Sequence, residues 1–170
     1  ELSEIPVNYL VSIQPQYFIK SNITKDKIIF LYHHENSLTD DFSDLFECSK
    51  LLIITLPDDD SKLNDRQFLQ EVDSIILCND AMPSHLNILQ FLASGCKLAI
   101  PKSQPFTLVD FPDQIIHYRE EVSIKEVIKL IHRMKPNLKL NQLRLKELFS
   151  LEKHCQNINT YISEIEELKN

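Results

Sequence analysis

The chain has 170 residues, of which 43% are hydrophobic and 25% charged, and its formal net charge is −7. This length and apolar content suffice for one domain with a buried core. The negative charge argues against a general nucleic-acid binder, because phosphate contacts need cations. No apolar run reaches the roughly 18 residues that a membrane-spanning helix requires.

The four cysteines show no C-x-x-C spacing, which argues against a zinc site. Two of them, Cys78 and Cys96, lie in or beside apolar runs, where a free thiol behaves as a small hydrophobe. We therefore expect a reduced, cytoplasmic protein that holds no metal ion and no resident cofactor. Because the chain starts at Glu1 and not at a methionine, it is either processed or an excised part of a longer protein, and we expect the second.

Strand-like apolar runs alternate with amphipathic runs along the chain. Strands are predicted at 6–13, 27–34, 50–57, 73–79, 97–101 and 114–118. Helices are predicted at 37–49, within 58–72, at 82–94 with Pro83 in the first turn, at 123–134, and as one or two helices after 139. Strands that are apolar on both faces are typical of a parallel sheet covered by helices. The pattern predicts a doubly wound, mostly parallel α/β domain of Rossmann-like type over 1–136, followed by terminal helices over 137–170.

Gly95 is the only glycine in the chain. It follows the amphipathic run "ILQFLAS" and precedes the apolar run "CKLAIP". Glycine tolerates positive φ and commonly follows the last residue of a helix. We therefore expect Gly95 to end a helix and allow a tight turn into a core strand.

Charge is unevenly distributed. The segment 35–73 holds 11 acidic and 3 basic residues, whereas 125–153 holds 8 basic and 3 acidic residues. The basic segment is interpreted either as a solvated helix face or as a surface for anionic lipid or an acidic partner.

Polar residues gather where the fourth predicted strand meets the following helix: Asn79, Asp80, Ser84, His85 and Asn87. A helix N-terminus offers unpaired N–H groups and the positive end of a dipole, which suits a phosphate. Capping of the helix by Asp80 and Ser84 is the alternative interpretation. Two other polar clusters, His33 to Glu35 and Asp58 to Asp60, also follow strands, and we expect them to be solvated strand ends.

From Asp73 to Glu164 the sequence resembles the C-terminal half of a retaining glycosyltransferase of the GT-B fold. In that family a strand of the type "aDv-apolar-P-S" is followed by a helix that ends in "E-A-M-A-S-G-x-P-V" and by a further strand. Here "VDSIIL", "PSHLNILQ" and "FLASGCKLAIP" follow in the same order. The later "FSLEKH" stands where the family often has a phenylalanine-serine-tryptophan-glutamate run.

The resemblance implies that a nucleotide sugar binds as the donor substrate, against Asn79, Asp80, Ser84, His85, Asn87 and Gln90. It also implies a missing N-terminal half or partner subunit, against which residues 137–170 pack if they do not pack back on the domain. The family's donor-sugar glutamate corresponds to Met82, and its ribose glutamate corresponds to Gln90. An acidic segment, "ENSLTDD", stands where the family has a glycine-arginine turn that holds the diphosphate.

Three functions remain open at this point. The first is a nucleotide-sugar-binding domain of a glycosyltransferase with an unknown acceptor. The second is a catalytically silent binding or assembly module on the same architecture, favoured by the loss of both acidic positions. The third is a flavodoxin-like signalling domain. Peripheral contact with a membrane through 125–153 is compatible with the first two.

Overall fold

The structure is a computed structural model that describes residues 12–18, 25–33, 51–56, 60–78, 83–104 and 106–168. Five strands lie in this part of the chain: β1 (Lys27–His33), β2 (Leu51–Leu56), β3 (Val72–Leu77), β4 (Lys97–Pro101) and β5 (Ile115–Tyr118). The predicted strand at 6–13 and the predicted helix at 37–49 fall largely or wholly outside the described residues.

Helices connect and cover the strands. They are α1 (Asp60–Leu63), α2 (Arg66–Glu71), α3 (His85–Ala93), α4 (Ile124–Arg133), α5 (Leu138–Phe149) and α6 (Leu151–Leu168), and a short 3-10 helix spans Pro15–Tyr17. The segment 58–72, expected as a loop and one helix, contains two short helices. The prediction that Pro83 lies in the first turn of its helix was wrong, because Ser84 is the N-cap of α3. Ser123 caps α4 as expected, since its Oγ accepts the Glu126 amide at 3.4 Å.

The strands form one parallel sheet in the order β2-β1-β3-β4-β5. The chain winds outward from β1 to β2, and then crosses to the other side of β1 to place β3, β4 and β5. The order therefore reverses between β1 and β3, and this is the topological switch point of the sheet. The predicted doubly wound, Rossmann-like α/β fold is confirmed.

Alternate strand residues build two separate cores. Ile29, Leu31, Ile75 and Leu77 face the larger core, to which α3 and α5 contribute. The residues between them, including Phe30 and Ile76, face a smaller core that is closed by α4. Each fully buried aliphatic or aromatic side chain contributes about 1.5–3 kcal/mol of transfer free energy, so both faces of the sheet stabilise the fold.

Gly95 ends α3 as the sequence predicted. Its φ is 77°, in the left-handed region that favours glycine. The Gly95 amide donates to Leu92 O at 2.9 Å and the Cys96 amide donates to Phe91 O at 3.0 Å, which is the Schellman arrangement. Cys96 is fully buried, and burial raises the pKa of its thiol to about 11. The reactive thiolate form is therefore disfavoured, as is typical of a cysteine that packs in a core.

Polar side chains fasten α5 to the start of β5. Gln114 is fully buried, and its Nε2 donates to Leu92 O at 3.0 Å and to Cys96 O at 2.9 Å. Its Oε1 accepts a hydrogen bond from Asn141 on α5. Asp113 accepts from the Asn137 amide at 2.6 Å and from Asn141 at 3.0 Å. These bonds tie α5, the C-terminal end of α3 and the edge of the sheet into one unit.

Candidate functional site

The candidate site lies at the carboxyl ends of β1 and β3, where ligands bind in open α/β sheets. Two hydrogen bonds fix the end of β3: the Cys78 amide donates to Leu31 O on β1 at 2.9 Å, and the Tyr118 hydroxyl, on β5, donates to Leu77 O at 2.5 Å. Burial raises the pKa of Tyr118, so it remains a neutral donor in this bond. The chain then continues to the N-terminus of α3.

The six predicted site residues divide into two groups. Asn79 and Asp80 lie outside the described residues, as does Met82. Ser84, His85, Asn87 and Gln90 all lie within the first two turns of α3 or at its cap. The structure therefore tests the positions of the second group only.

Ser84 and Asn87 form the cap of α3. The Asn87 amide donates to Ser84 Oγ at 3.1 Å, and Ser84 Oγ lies 3.0 Å from Asn87 Oδ1. The Ile88 amide donates to Ser84 O. In the part of the chain that the structure describes, no acceptor meets the amides of His85 and Leu86. N–H groups in the first turn of a helix, together with the positive end of its dipole, are the groups that bind an anion.

His85 is exposed at the start of α3, and its ring lies 5.8 Å from the ring of Phe106 with an interplanar angle of 43°. Phe106 is buried in the segment that follows β4. The contact brings that segment beside the N-terminus of α3. The His85 ring can therefore contact a ligand at this end of α3, both through its face and through its ring nitrogens.

Gln90 is the most unusual residue of the group. It is only 4% exposed, and within the residues that the structure describes its Oε1 has no hydrogen-bond donor. Its neighbours on the helix, from Ile88 to Ala93, are all buried. An unsatisfied buried amide oxygen costs about 1–3 kcal/mol of stability, so its presence calls for an explanation.

The side chain of Gln90 is directed toward the N-terminus of α3. Side chains on a helix lean toward its N-terminus, so the Gln90 amide extends over the turn that contains Leu86 and Asn87. Its Cα lies about 9 Å along the helix axis from that of Ser84. This separation suits a ligand whose phosphate meets the helix end and whose hydroxyl groups extend along the helix.

A second buried glutamine provides a comparison. Gln70 on α2 is 7% exposed, and no acceptor for its Nε2 is found in the described part of the chain. However, α2 runs directly into the first residue of β3, so Gln70 lies at the amino end of the sheet, away from the switch point. Its unpaired atom is a donor, whereas that of Gln90 is an acceptor that a ligand hydroxyl can satisfy.

Lys102 is a candidate that the site prediction omitted. It directly follows β4, which pairs with β3, and its side chain is exposed. It belongs to the same strand-end segment that places Phe106 against His85. The sequence could have indicated Lys102, because it comes one residue after the predicted strand 97–101. The carboxyl end of such a strand lies at the ligand-binding edge of a parallel sheet.

Other features lie outside this site. Within the described ranges, no group of three or more histidine, cysteine or acidic side chains is arranged to hold a metal ion. A groove of about 520 Å³ lies between the segment from Ile13 to Phe18 and the junction of α5 and α6. Because Ser94 Oγ donates to Tyr17 O, this groove lies toward the C-terminal end of α3. It is therefore remote from the candidate site.

Comparison of the chain with protein-family models, with curated proteins and with solved structures finds no match. Among the described residues, none of the helices is both long enough and apolar enough to cross a bilayer. A function must therefore be inferred from the chemistry of the chain's own residues.

Proposed function

We propose that the chain is the nucleotide-sugar-binding domain of a GT-B-type glycosyltransferase, whose acceptor site and remaining machinery lie in an N-terminal half outside this chain. The observation that carries the proposal is the buried Gln90 with its unpaired Oε1. It stands five residues before Gly95, where the family resemblance places the group that holds the ribose. A ribose hydroxyl would donate to this oxygen and remove the cost of burying it.

The diphosphate is proposed to lie at the N-terminus of α3. The amides of His85 and Leu86 and the helix dipole would meet its oxygens. Lys102 would supply the positive charge that the acidic segment after β1 does not provide. The ribose would then extend along α3 toward Gln90.

Two residues, Met82 and Gln90, differ from those that the family uses to hold the donor. Met82 replaces the carboxylate that the family directs at the donor sugar, and a thioether is only a weak acceptor. Gln90 is neutral where the family has an acid. These residues therefore fit the nucleotide part of the donor better than its sugar.

Calorimetry and thermal shift would test the proposal with uridine, guanosine and adenosine diphosphates and their sugar conjugates. One nucleotide is expected to bind and to raise the melting temperature. Gln90→Leu and Lys102→Ala should each weaken binding about tenfold or more, as expected for the loss of a hydrogen bond to a charged or buried group. The matched variants Gln70→Leu and Lys129→Ala should leave the affinity unchanged. If neither the folded chain nor the full-length protein binds any of these nucleotides, the proposal is wrong.

A second candidate is the silent assembly module, and the surface of α6 favours it. Leu151, Ile158 and Ile162 are 55%, 38% and 48% exposed and recur at helical spacing. The missing N-terminal half is the proposed partner of this stripe. Failure of every nucleotide to bind, together with loss of assembly in an Ile158→Ser/Ile162→Ser variant of the full-length protein, would favour this candidate over the first.

A further inference from the structure

His85 is the first residue of α3, and its side chain is exposed. Its ring lies against that of Phe106, with the two centroids 5.8 Å apart. Phe106 is 3% exposed and belongs to the larger core, so it gives the imidazole a firm support on one side. The imidazole therefore lies beside the first amides of α3, where the diphosphate is proposed to bind.

Few charged groups belong to the two elements that meet at His85. Helix α3 has no ionisable side chain from 86 to 93. The segment between β4 and β5, which carries Phe106, has Lys102, Asp110 and Asp113. Both carboxylate oxygens of Asp113 accept hydrogen bonds from the start of α5. Lys102 is therefore the one fixed cation that these two elements contribute.

The neighbouring strand ends add little positive charge. Arg119 and Glu120 follow β5 with opposite charges, and Glu120 accepts a hydrogen bond from a backbone amide of the segment after β4. Tyr118 and Cys78, near the ends of β5 and β3, are buried. Asp80 lies outside the described residues. A diphosphate at the start of α3 thus needs a further positive group, and the histidine is the side chain there that can become one.

Charge and hydrogen bonding both link a proton on this imidazole to the bound phosphate. The positive end of a helix dipole disfavours a neighbouring cation, whereas a phosphate at the same point favours one. Phosphate oxygens that are ionised only accept hydrogen bonds. Both ring nitrogens of an imidazolium ion donate, but one nitrogen of a neutral imidazole can only accept. The charged ring is therefore the better partner for the nucleotide.

We propose that His85 binds the diphosphate as an imidazolium ion, so that binding of the nucleotide takes up a proton. The inference rests on the proposed function, because it concerns the same site. The proton comes from the solvent and returns to it when the nucleotide leaves. Because proton and nucleotide bind together, each strengthens the binding of the other. Histidine changes charge between about pH 5 and pH 8, so the affinity should rise as pH falls through this range.

Calorimetry with uridine, guanosine and adenosine diphosphates, tested separately between about pH 6 and pH 8.5, measures this coupling. Each titration is run in two buffers of different ionisation enthalpy, and the difference in heat gives the number of protons taken up. Wild type should bind about tenfold more tightly than His85→Gln at about pH 6, but within about twofold of it at about pH 8.5. Comparison of the two proteins cancels the titration of the nucleotide's own terminal phosphate, which occurs near pH 6.

Two further variants separate charge from a supporting role of the ring. His85→Lys is positive throughout this range, so at about pH 8.5 it should bind at least as tightly as wild type. His132→Gln, at an exposed position in the last turn of α4, should keep the wild-type pH profile. Because both histidines are exposed, all of these variants should keep the wild-type circular dichroism spectrum.

The outcomes distinguish this inference from the proposed function. If a diphosphate binds and the affinities of wild type and His85→Gln follow the same pH profile, the inference is overturned and the function stands. Equal affinities of His85→Lys and His85→Gln at every pH would overturn it as well, because the charge would then make no contribution. If none of the three diphosphates binds at any pH, both the function and the inference fail.

Discussion

Asn141 on α5 donates from Nδ2 to Oε1 of Gln114 at the start of β5, over 3.0 Å, and both side chains are buried. The bond links residues 27 positions apart and joins the helical C-terminal region to the sheet. Because Gln114 also donates to the last turn of α3, the same contact supports the helix that carries the candidate site.

Replacing Asn141 by alanine should lower the free energy of unfolding by about 1–3 kcal/mol. The variant leaves the buried Gln114 Oε1 without its donor and removes one hydrogen bond from Asp113. Urea denaturation followed by circular dichroism measures the loss. Asn159→Ala, at an exposed position of α6, should change the value by less than about 0.5 kcal/mol. Equal effects of the two substitutions would show that the Asn141 bond does not fasten α5.

The stability of the chain should depend on the ionisation of Asp113. Burial opposes the charged form, but hydrogen bonds from Asn137 and Asn141 outweigh it, so the pKa of Asp113 lies below its ordinary value of 3.8. Since the folded pKa is the lower one, this stabilisation is present above the unfolded pKa and is lost as pH falls through the folded pKa. The difference in unfolding free energy between wild type and Asp113→Asn should therefore shrink as pH falls from about 6 to values below 3.8, the ordinary pKa of this carboxyl. A difference that stays constant over this range would contradict the assignment.

Gly95→Ala should destabilise the chain by about 1–2 kcal/mol, because alanine pays a steric cost at a φ of 77°. Gly95→Asn should cost less, since asparagine tolerates the left-handed region better than alanine. Thermal and urea unfolding of the two variants provide the comparison. If alanine were tolerated as well as asparagine, the turn after α3 would not require positive φ.

Gln90→Leu should keep or raise the stability of the ligand-free chain by up to about 1 kcal/mol. Leucine has a similar volume and removes an amide oxygen that is buried without a donor. Functional sites often retain residues that cost stability, so a more stable Gln90→Leu variant that binds nucleotide poorly is the expected combination. A loss of more than about 2 kcal/mol would instead identify Gln90 as a structural residue.

The sequence predicted the sheet well because its signals are local. Apolar runs such as "KLAIP" have the length of a strand, and Gly95 marks the end of α3 by a backbone requirement that few other residues meet. The cap by Ser84 was predictable for the same reason. The burial of Gln90 was not, because α3 is enclosed by α5 and the sheet, and that packing depends on contacts between distant parts of the chain. The packing of Phe106 against His85, which brings the segment after β4 to the N-terminus of α3, was not predictable either, because it joins distant parts of the chain.

In the proposed complex, Gln90 Oε1 accepts a hydrogen bond from a ribose hydroxyl of the bound nucleotide. This hydrogen bond is tested most directly by calorimetry of wild type and Gln90→Leu, each with the nucleoside diphosphate that binds and with its 2′,3′-dideoxy analogue. Removing the hydroxyls should weaken binding to wild type about tenfold or more but barely affect binding to Gln90→Leu, since the variant has already lost the acceptor. If the analogue lost the same affinity for both proteins, Gln90 would not contact the ribose and the assignment of the site would be wrong.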